Sequence, residues 1–201
     1  MYSPVLVESA TDLAVSLDDA KMHLRVAFPD DNGTVPATEE DPLIEAYIRA
    51  ATAHLDGPTG ILDRCLQEQT WRIDFDGFCS RLVLPLSPVG EIGSVTWRNA
   101  AGQLSTVDDD EYLTEADDRG VVYLRFRNSY QFPTDLYERR AVGVTFQAGY
   151  ASGEVPAPLK VAILLLVGTW FENREATVST AANELPFAVK ALISPFRRMS
   201  V

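Results

Sequence analysis

Apolar residues in this chain repeat with two different periods, and the switch between them dictates the class of fold. Near the N-terminus the spacing is helical. Leu17, Ala20, Leu24 and Ala27 fall on one face, preceded by Ser16 as a cap, with Asp19 suiting the positive end of the helix dipole. A second helix opens at Asp41-Pro42, with Asp41 expected as cap and Pro42 in the first turn. Its apolar stripe is Leu43, Ile44, Tyr47, Ile48, Ala51 and Leu55, and Gly57-Pro58 and Gly60 close it. From about residue 66 to 150 the period becomes two. Trp71, Ile73 and Phe75 alternate with polar residues, as do Leu82 and Leu84, Val122, Leu124 and Phe126, and Val142, Val144 and Phe146. Asn99-Ala100-Ala101-Gly102 marks a turn after Val95 and Trp97.

After Pro156 and Pro158 the helical period returns over about 159–174. This segment is apolar nearly all round, which predicts a position at the centre of a helical bundle, with Leu164, Leu165 and Val167 in the core. Residues 176–184 read as a mobile loop, and a last short helix is predicted over 186–194, ended by Pro195. The expected fold is therefore α+β. Two N-terminal and two C-terminal helices form a bundle (residues 1–64 and 151–201), interrupted by a small antiparallel β-barrel or sandwich (65–150).

The net charge of −12 excludes a main surface built to grip nucleic-acid phosphates. The charge is uneven: residues 1–60 hold three Lys/Arg against eleven Asp/Glu, whereas residues 151–201 hold five against four. Cys65 and Cys79 are the only cysteines, which argues against a disulfide-stapled scaffold and for free thiols in a reducing compartment. The N-terminus lacks the basic start and apolar run of a secretory signal. The most apolar stretch is shorter than the roughly 20 residues of a membrane span. A soluble protein made in the cytosol is expected.

Catalytic constellations are not found, and no enzyme, cofactor or metal site is expected. His23 and His54 stand alone on helices, and neither has a ligand partner at zinc spacing. Asp108-Asp109-Asp110-Glu111 and Asp117-Asp118 lack the alternation and glycine of a calcium loop and read as solvated turns. No nucleophile elbow, phosphate loop or dinucleotide fingerprint occurs. Glu172 and Arg174, at the end of the apolar helix, read as a polar helix end or as partners in an inter-subunit ion pair.

Several segments, in order, resemble the phage head–tail connector proteins, the adaptors beneath the portal, a family also found in gene transfer agents. Asp19-Ala20-Lys21-Met22-His23-Leu24-Arg25-Val26 is similar to the family's first helix, and Pro58-Thr59-Gly60 to the stop of its second. Leu84-Pro85-Leu86-Ser87-Pro88-Val89 and Phe146-Gln147-Ala148-Gly149-Tyr150 resemble its strands. Trp170-Phe171-Glu172-Asn173-Arg174-Glu175 and Ala191-Leu192-Ile193-Ser194-Pro195-Phe196-Arg197 resemble its C-terminal half. Phe171 stands where the family usually has Tyr, and the acidic loop between the first two helices is long.

The resemblance implies a cyclic homo-oligomer, a dodecamer, stacked on the portal protein and followed by a stopper or tail-terminator ring. It would be assembled in the bacterial cytoplasm and located in the neck of a phage or phage-like particle. Such a ring extends the DNA channel without binding DNA specifically and without a membrane. An acidic lumen suits this, because it repels phosphates. The segment after residue 185 is too short to be a stable helix alone and must dock. The resemblance places it on the portal, through Phe187, Leu192, Ile193, Phe196, Arg197 and Arg198. The alternative is a ligand- or carbohydrate-binding β module of a tail or capsid accessory protein, with Trp71, Trp97, Tyr112 and Tyr123 as stacking residues.

Overall fold

The structure is a computed structural model and describes residues 2–117, 121–173 and 186–197. Arg174, Arg198 and the expected loop 176–184 lie outside the described residues. The chain divides into two compact units, one of residues 1–10 and 68–150, the other of residues 11–67 and 151–201.

The first unit is antiparallel β-structure. Its strands are β1 (Val5–Glu8), β2 (Gln69–Phe75), β3 (Arg81–Leu84), β4 (Val89–Arg98), β5 (Leu104–Val107), β6 (Tyr112–Ala116), β7 (Val122–Phe126) and β8 (Val142–Ala148). Five of them form a sheet in the order β1-β2-β8-β4-β5, and three form a second in the order β3-β7-β6. Both sheets are open, so of the expected barrel or sandwich the closed barrel is not present. The alternation read in the sequence is the burial pattern. Trp71, Ile73 and Phe75 are buried along β2 and face Phe146, Val144 and Val142 across the ladder. In the smaller sheet Leu82 pairs with Leu124, and Tyr112 with Phe126.

One boundary departs from the sequence reading. Residues 1–10 belong with the sheets, because Val5 and Leu6 of β1 pair with Arg72 and Trp71, although the helical segment was expected to begin at residue 1. Gly90 and Gly93 lie inside β4, whose register with β8 shifts between Val89 and Ile92 and again between Ile92 and Ser94. The β4–β5 hairpin closes as expected at Asn99, whose carbonyl accepts the N–H of Gly102 at 2.8 Å, with Gly102 at φ +82°.

The second unit holds α1 (Leu17–Leu24), α2 (Asp41–Leu55), α3 (Ala157–Glu172) and α4 (Phe187–Ile193), followed by a single 3-10 turn over Ser194–Phe196. Ser16 caps α1 as predicted, its hydroxyl accepting the Asp19 N–H at 3.1 Å. Arg25, in the left-handed conformation at φ 59°, ends it. Ile44, Ile48, Ala51 and Leu55 are the buried face of α2. The chain after α2 folds back on it. Ile61 and Leu62 N–H groups donate to the His54 and Leu55 carbonyls, and a Cβ at Gly60 would sit 2.3 Å from the Asp56 carbonyl oxygen. Only glycine fits that close approach.

The burial expected along the apolar helix is corrected in part. α3 packs on α1, α2 and α4 through Leu159, Ala162, Ile163, Leu166 and Val167. Val167 is in the core as expected, but Leu164 and Leu165 are only half-buried and Val161 is 43% exposed. The helix is buried on one side despite being apolar on both. Leu166→Ala should therefore lower stability by about 2–5 kcal/mol, the cost of emptying a fully buried leucine site. Leu165→Ala should lower it by much less. Denaturant midpoints of the two variants check the assignment, and the reverse ranking would overturn it.

Candidate assembly surfaces

Val189 and Ile193 of α4 are buried, four residues apart on the face turned to α3. Phe187, on the opposite face, is 86% exposed, the most exposed large apolar side chain among the described residues. Leu192 and Phe196 are half-buried, and Arg197 is exposed. Two expectations change. The segment packs on its own subunit, because Val189 and Ile193 complete a hydrophobic contact that seven helical residues could not forgo. Ile193 is consequently spent inside the chain and is not free to meet a partner.

Glu172 is exposed in the last turn of α3 and makes no ion pair among the described residues. Its expected partner Arg174 lies outside them. His23 and His54 are both exposed, and His54 meets Trp170 edge-on at 6.3 Å. Cys65 is buried and Cys79 exposed, and neither is in a disulfide.

Sequence reasoning missed one charged cluster. The α1–α2 loop is held by Lys21, whose side chain is 1% exposed. Its Nζ donates to the Pro36 carbonyl at 2.5 Å and to the Asp41 carboxylate at 3.0 Å. Asp41 does not cap α2. The helix already includes it, and its carboxylate instead accepts the Thr38 hydroxyl at 2.5 Å and the Lys21 ammonium. The Thr38 hydroxyl, followed by Lys21, holds the Asp41 carboxyl below its ordinary pKa against the opposing effect of burial. At the loop's start, Asp30 accepts the N–H groups of Asn32 and Thr34, each at 2.9 Å. The acidic loop is thus built rather than loose.

On the first unit, the residues named as stacking candidates are largely occupied. Trp71 and Tyr112 are buried. The Arg81 guanidinium covers the Tyr123 ring at 4.8 Å, and the Tyr123 hydroxyl donates to Asp117 at 3.1 Å. Trp97 meets Phe78, which also contacts Phe126, Tyr130 and Phe132. The acidic run around Asp108 is a structural turn. Asp109 accepts the Tyr112 hydroxyl at 2.6 Å, and burial together with that carboxylate pushes the Tyr112 pKa well above its usual value. Arg127 binds the backbone of the same turn, its N–H donating to the Glu111 carbonyl at 2.8 Å. Among the described residues no group of three His, Cys, Asp or Glu is placed to hold a metal ion. No described helix is long and apolar enough to cross a membrane.

Two units of this kind, a helical one and an open two-sheet one, define a mixed α+β fold shared with solved structures. The chain is similar to a chain in the neck of an empty gene transfer agent (GTA) particle computed with C6 symmetry. The TM-score is 0.77 at 24% identity, covering 100% of this chain and 97% of that one. It is similar to a chain in the virion of a native GTA particle, with TM-score 0.75 at 22% identity over 98% and 96%. A third likeness is to a chain in the neck of a native GTA particle computed with C12 symmetry, with TM-score 0.68 at 20% identity over 98% and 97%. At these identities the likeness is one of fold. No protein-family model and no curated protein matches the sequence.

Proposed function

We propose that this chain is a structural, non-enzymatic subunit of the neck of a phage-like particle, a head–tail adaptor that forms a ring beneath the portal. The observation that carries the reading is the likeness of fold end to end, in both directions, to a chain of a GTA neck. The order of the connector-like segments along the sequence points the same way, as does the absence of a catalytic constellation in the sequence.

In this reading twelve copies form the ring, the portal lies on one side and a stopper or tail-terminator on the other, and DNA passes through without specific contacts. The portal-facing surface is the exposed side of α4 and the turn after it, with Phe187, Leu192, Phe196 and Arg197, and Arg198, outside the described residues, joins it in this reading. Apolar side chains supply the contact area, and the arginines pair with acidic groups. Glu172 and Arg174 supply an ionic contact between subunits. The acidic balance of the chain keeps the channel from adhering to phosphates. A glycan-binding β module is disfavoured, because Trp71 and Tyr112 are buried and Arg81 covers Tyr123.

Low-resolution imaging of purified particles carrying a tagged copy of this chain tests the proposal. The tag should appear as a ring between head and tail. Label on the capsid surface or tail tip, or glycan binding by a monomer, would overturn it.

A further inference from the structure

The five-stranded sheet ends in two open edges, β1 and β5, each of only four residues, and β1 carries a bulge between Leu6 and Glu8. All four residues of β1 are exposed, and three in a row are apolar: Val5, Leu6 and Val7, between 44% and 57% exposed. Glu8 is the only charge on that strand. At the far side, β5 exposes Leu104, Ser105 and Thr106, with Leu104 58% exposed, and contains no charge and no proline. Each edge presents a row of backbone N–H and C=O groups to whatever lies beside it.

We infer that β5 of one copy pairs with β1 of the next, joining the sheets of neighbouring subunits head to tail. This rests on the ring reading above and says which surfaces build the ring. A ring requires a heterologous contact between two unlike patches on opposite sides of the subunit. The edges meet that requirement by construction, because β1 and β5 are the two ends of one strand order. Every neighbouring pair in the sheet is antiparallel, so β1, β8 and β5 run in one direction. A copy carried round a ring keeps that direction, and its β1 arrives parallel to β5. An edge pairing with itself would instead be antiparallel and stop at a two-fold dimer. The side chains agree. Val5 sits opposite Arg72 on the outward face, and Leu104 and Thr106, opposite Arg98 and Thr96, share that face, so the outward residues of the two edges lie on the same side of the junction. The dimensions suit a ring. Five strands at about 4.8 Å advance each copy by about 24 Å, so twelve copies close a circuit about 90 Å across.

The test uses the full chain with Cys79 replaced by serine, leaving only the buried Cys65. Val5→Cys protein is mixed with Leu104→Cys or Thr106→Cys protein and treated with a thiol crosslinker of about 8 Å reach, enough for direct and diagonal neighbours. Crosslinked pairs are expected in the mixtures and not in either variant alone. A double Val5→Lys/Val7→Lys variant, changed only at exposed positions, should keep its melting temperature and lose at least tenfold in assembled oligomer. Rings visible by negative-stain imaging but without mixed crosslinks overturn the edge pairing and leave the ring reading standing. Crosslinks within the Val5→Cys protein alone overturn it in favour of a two-fold dimer. A full-length chain that forms no oligomer, alone or on portal rings, overturns both.

Discussion

Lys21→Met should lower the stability of the free subunit by about 3 kcal/mol, read as a shift in denaturant midpoint. Lys21 is a long charged side chain with 1% of its surface exposed, paired to an Asp41 that keeps 20% of its own in water. Removing one member of a buried pair typically costs about 3–5 kcal/mol, and the exposed part of Asp41 places the value at the lower end. Methionine fills much of the volume but leaves the Pro36 carbonyl without its donor. The double variant Lys21→Met/Asp41→Leu should recover part of the loss, because replacing both partners removes the uncompensated charge. The pH dependence has a definite sign. The Asp41 carboxyl is lowered in the folded chain, so its contribution is present above the unfolded value and is lost as pH falls through the folded one. The gap between wild type and Lys21→Met should narrow below about pH 4, where carboxylates protonate. A wild-type midpoint for Lys21→Met would show that the cluster does not hold the loop.

The cluster was illegible in the sequence for a simple reason. A lysine within Asp-Asp-Ala-Lys reads as the polar side of an amphipathic helix, and nothing local announces that Pro36 and Asp41 return to it. Ser16 and the Asn99–Gly102 turn were legible because their hydrogen bonds close within four residues. The strands were legible where one face is buried, as in β2, because burial enforces the alternation. β1 escaped because it is an exposed edge of four residues, with apolar side chains on both faces and no period to read.

α3 shows the converse limit. A helix apolar all round carries no record of which side meets the core, so Leu164 and Leu165 were indistinguishable from Ile163 and Leu166 until the neighbouring helices were in place. For α4 the information was present. Val189 and Ile193 follow the spacing of one helical face, which turns Phe187 to the other side. Apolarity alone grouped Phe187 with Ile193 as partner-facing residues, whereas spacing separates the two. The ring and its neighbours were not legible in any local pattern. They are proposals that rest on the order of the connector-like motifs and on the likeness of fold.

Phe187→Asp is expected to leave the subunit as stable as wild type and to disable its attachment to portal rings. The first half follows from exposure: at 86% exposed, the ring contributes almost nothing to the chain's own core, and surface changes of this kind stay within about 0.5 kcal/mol. The second half follows from the proposed contact. Burying a phenylalanine side chain contributes about 1.5–3 kcal/mol, so its loss should weaken each subunit's grip about ten- to hundred-fold. An aspartate in an apolar pocket would add a desolvation cost. Arg197→Glu should also weaken attachment, more strongly at low salt than at high salt, because an exposed ion pair is screened. Ile193→Asp is the control: it places a charge in the contact between α4 and α3 and should lower the melting temperature of the free subunit. Removing residues 186–201 is a poorer test for the same reason, since it strips Val189 and Ile193 from α3 along with the exposed face. Melting curves separate the two kinds of variant, and binding to purified portal rings measures the effect. If Phe187→Asp binds with wild-type affinity, the exposed face of α4 is not the portal contact.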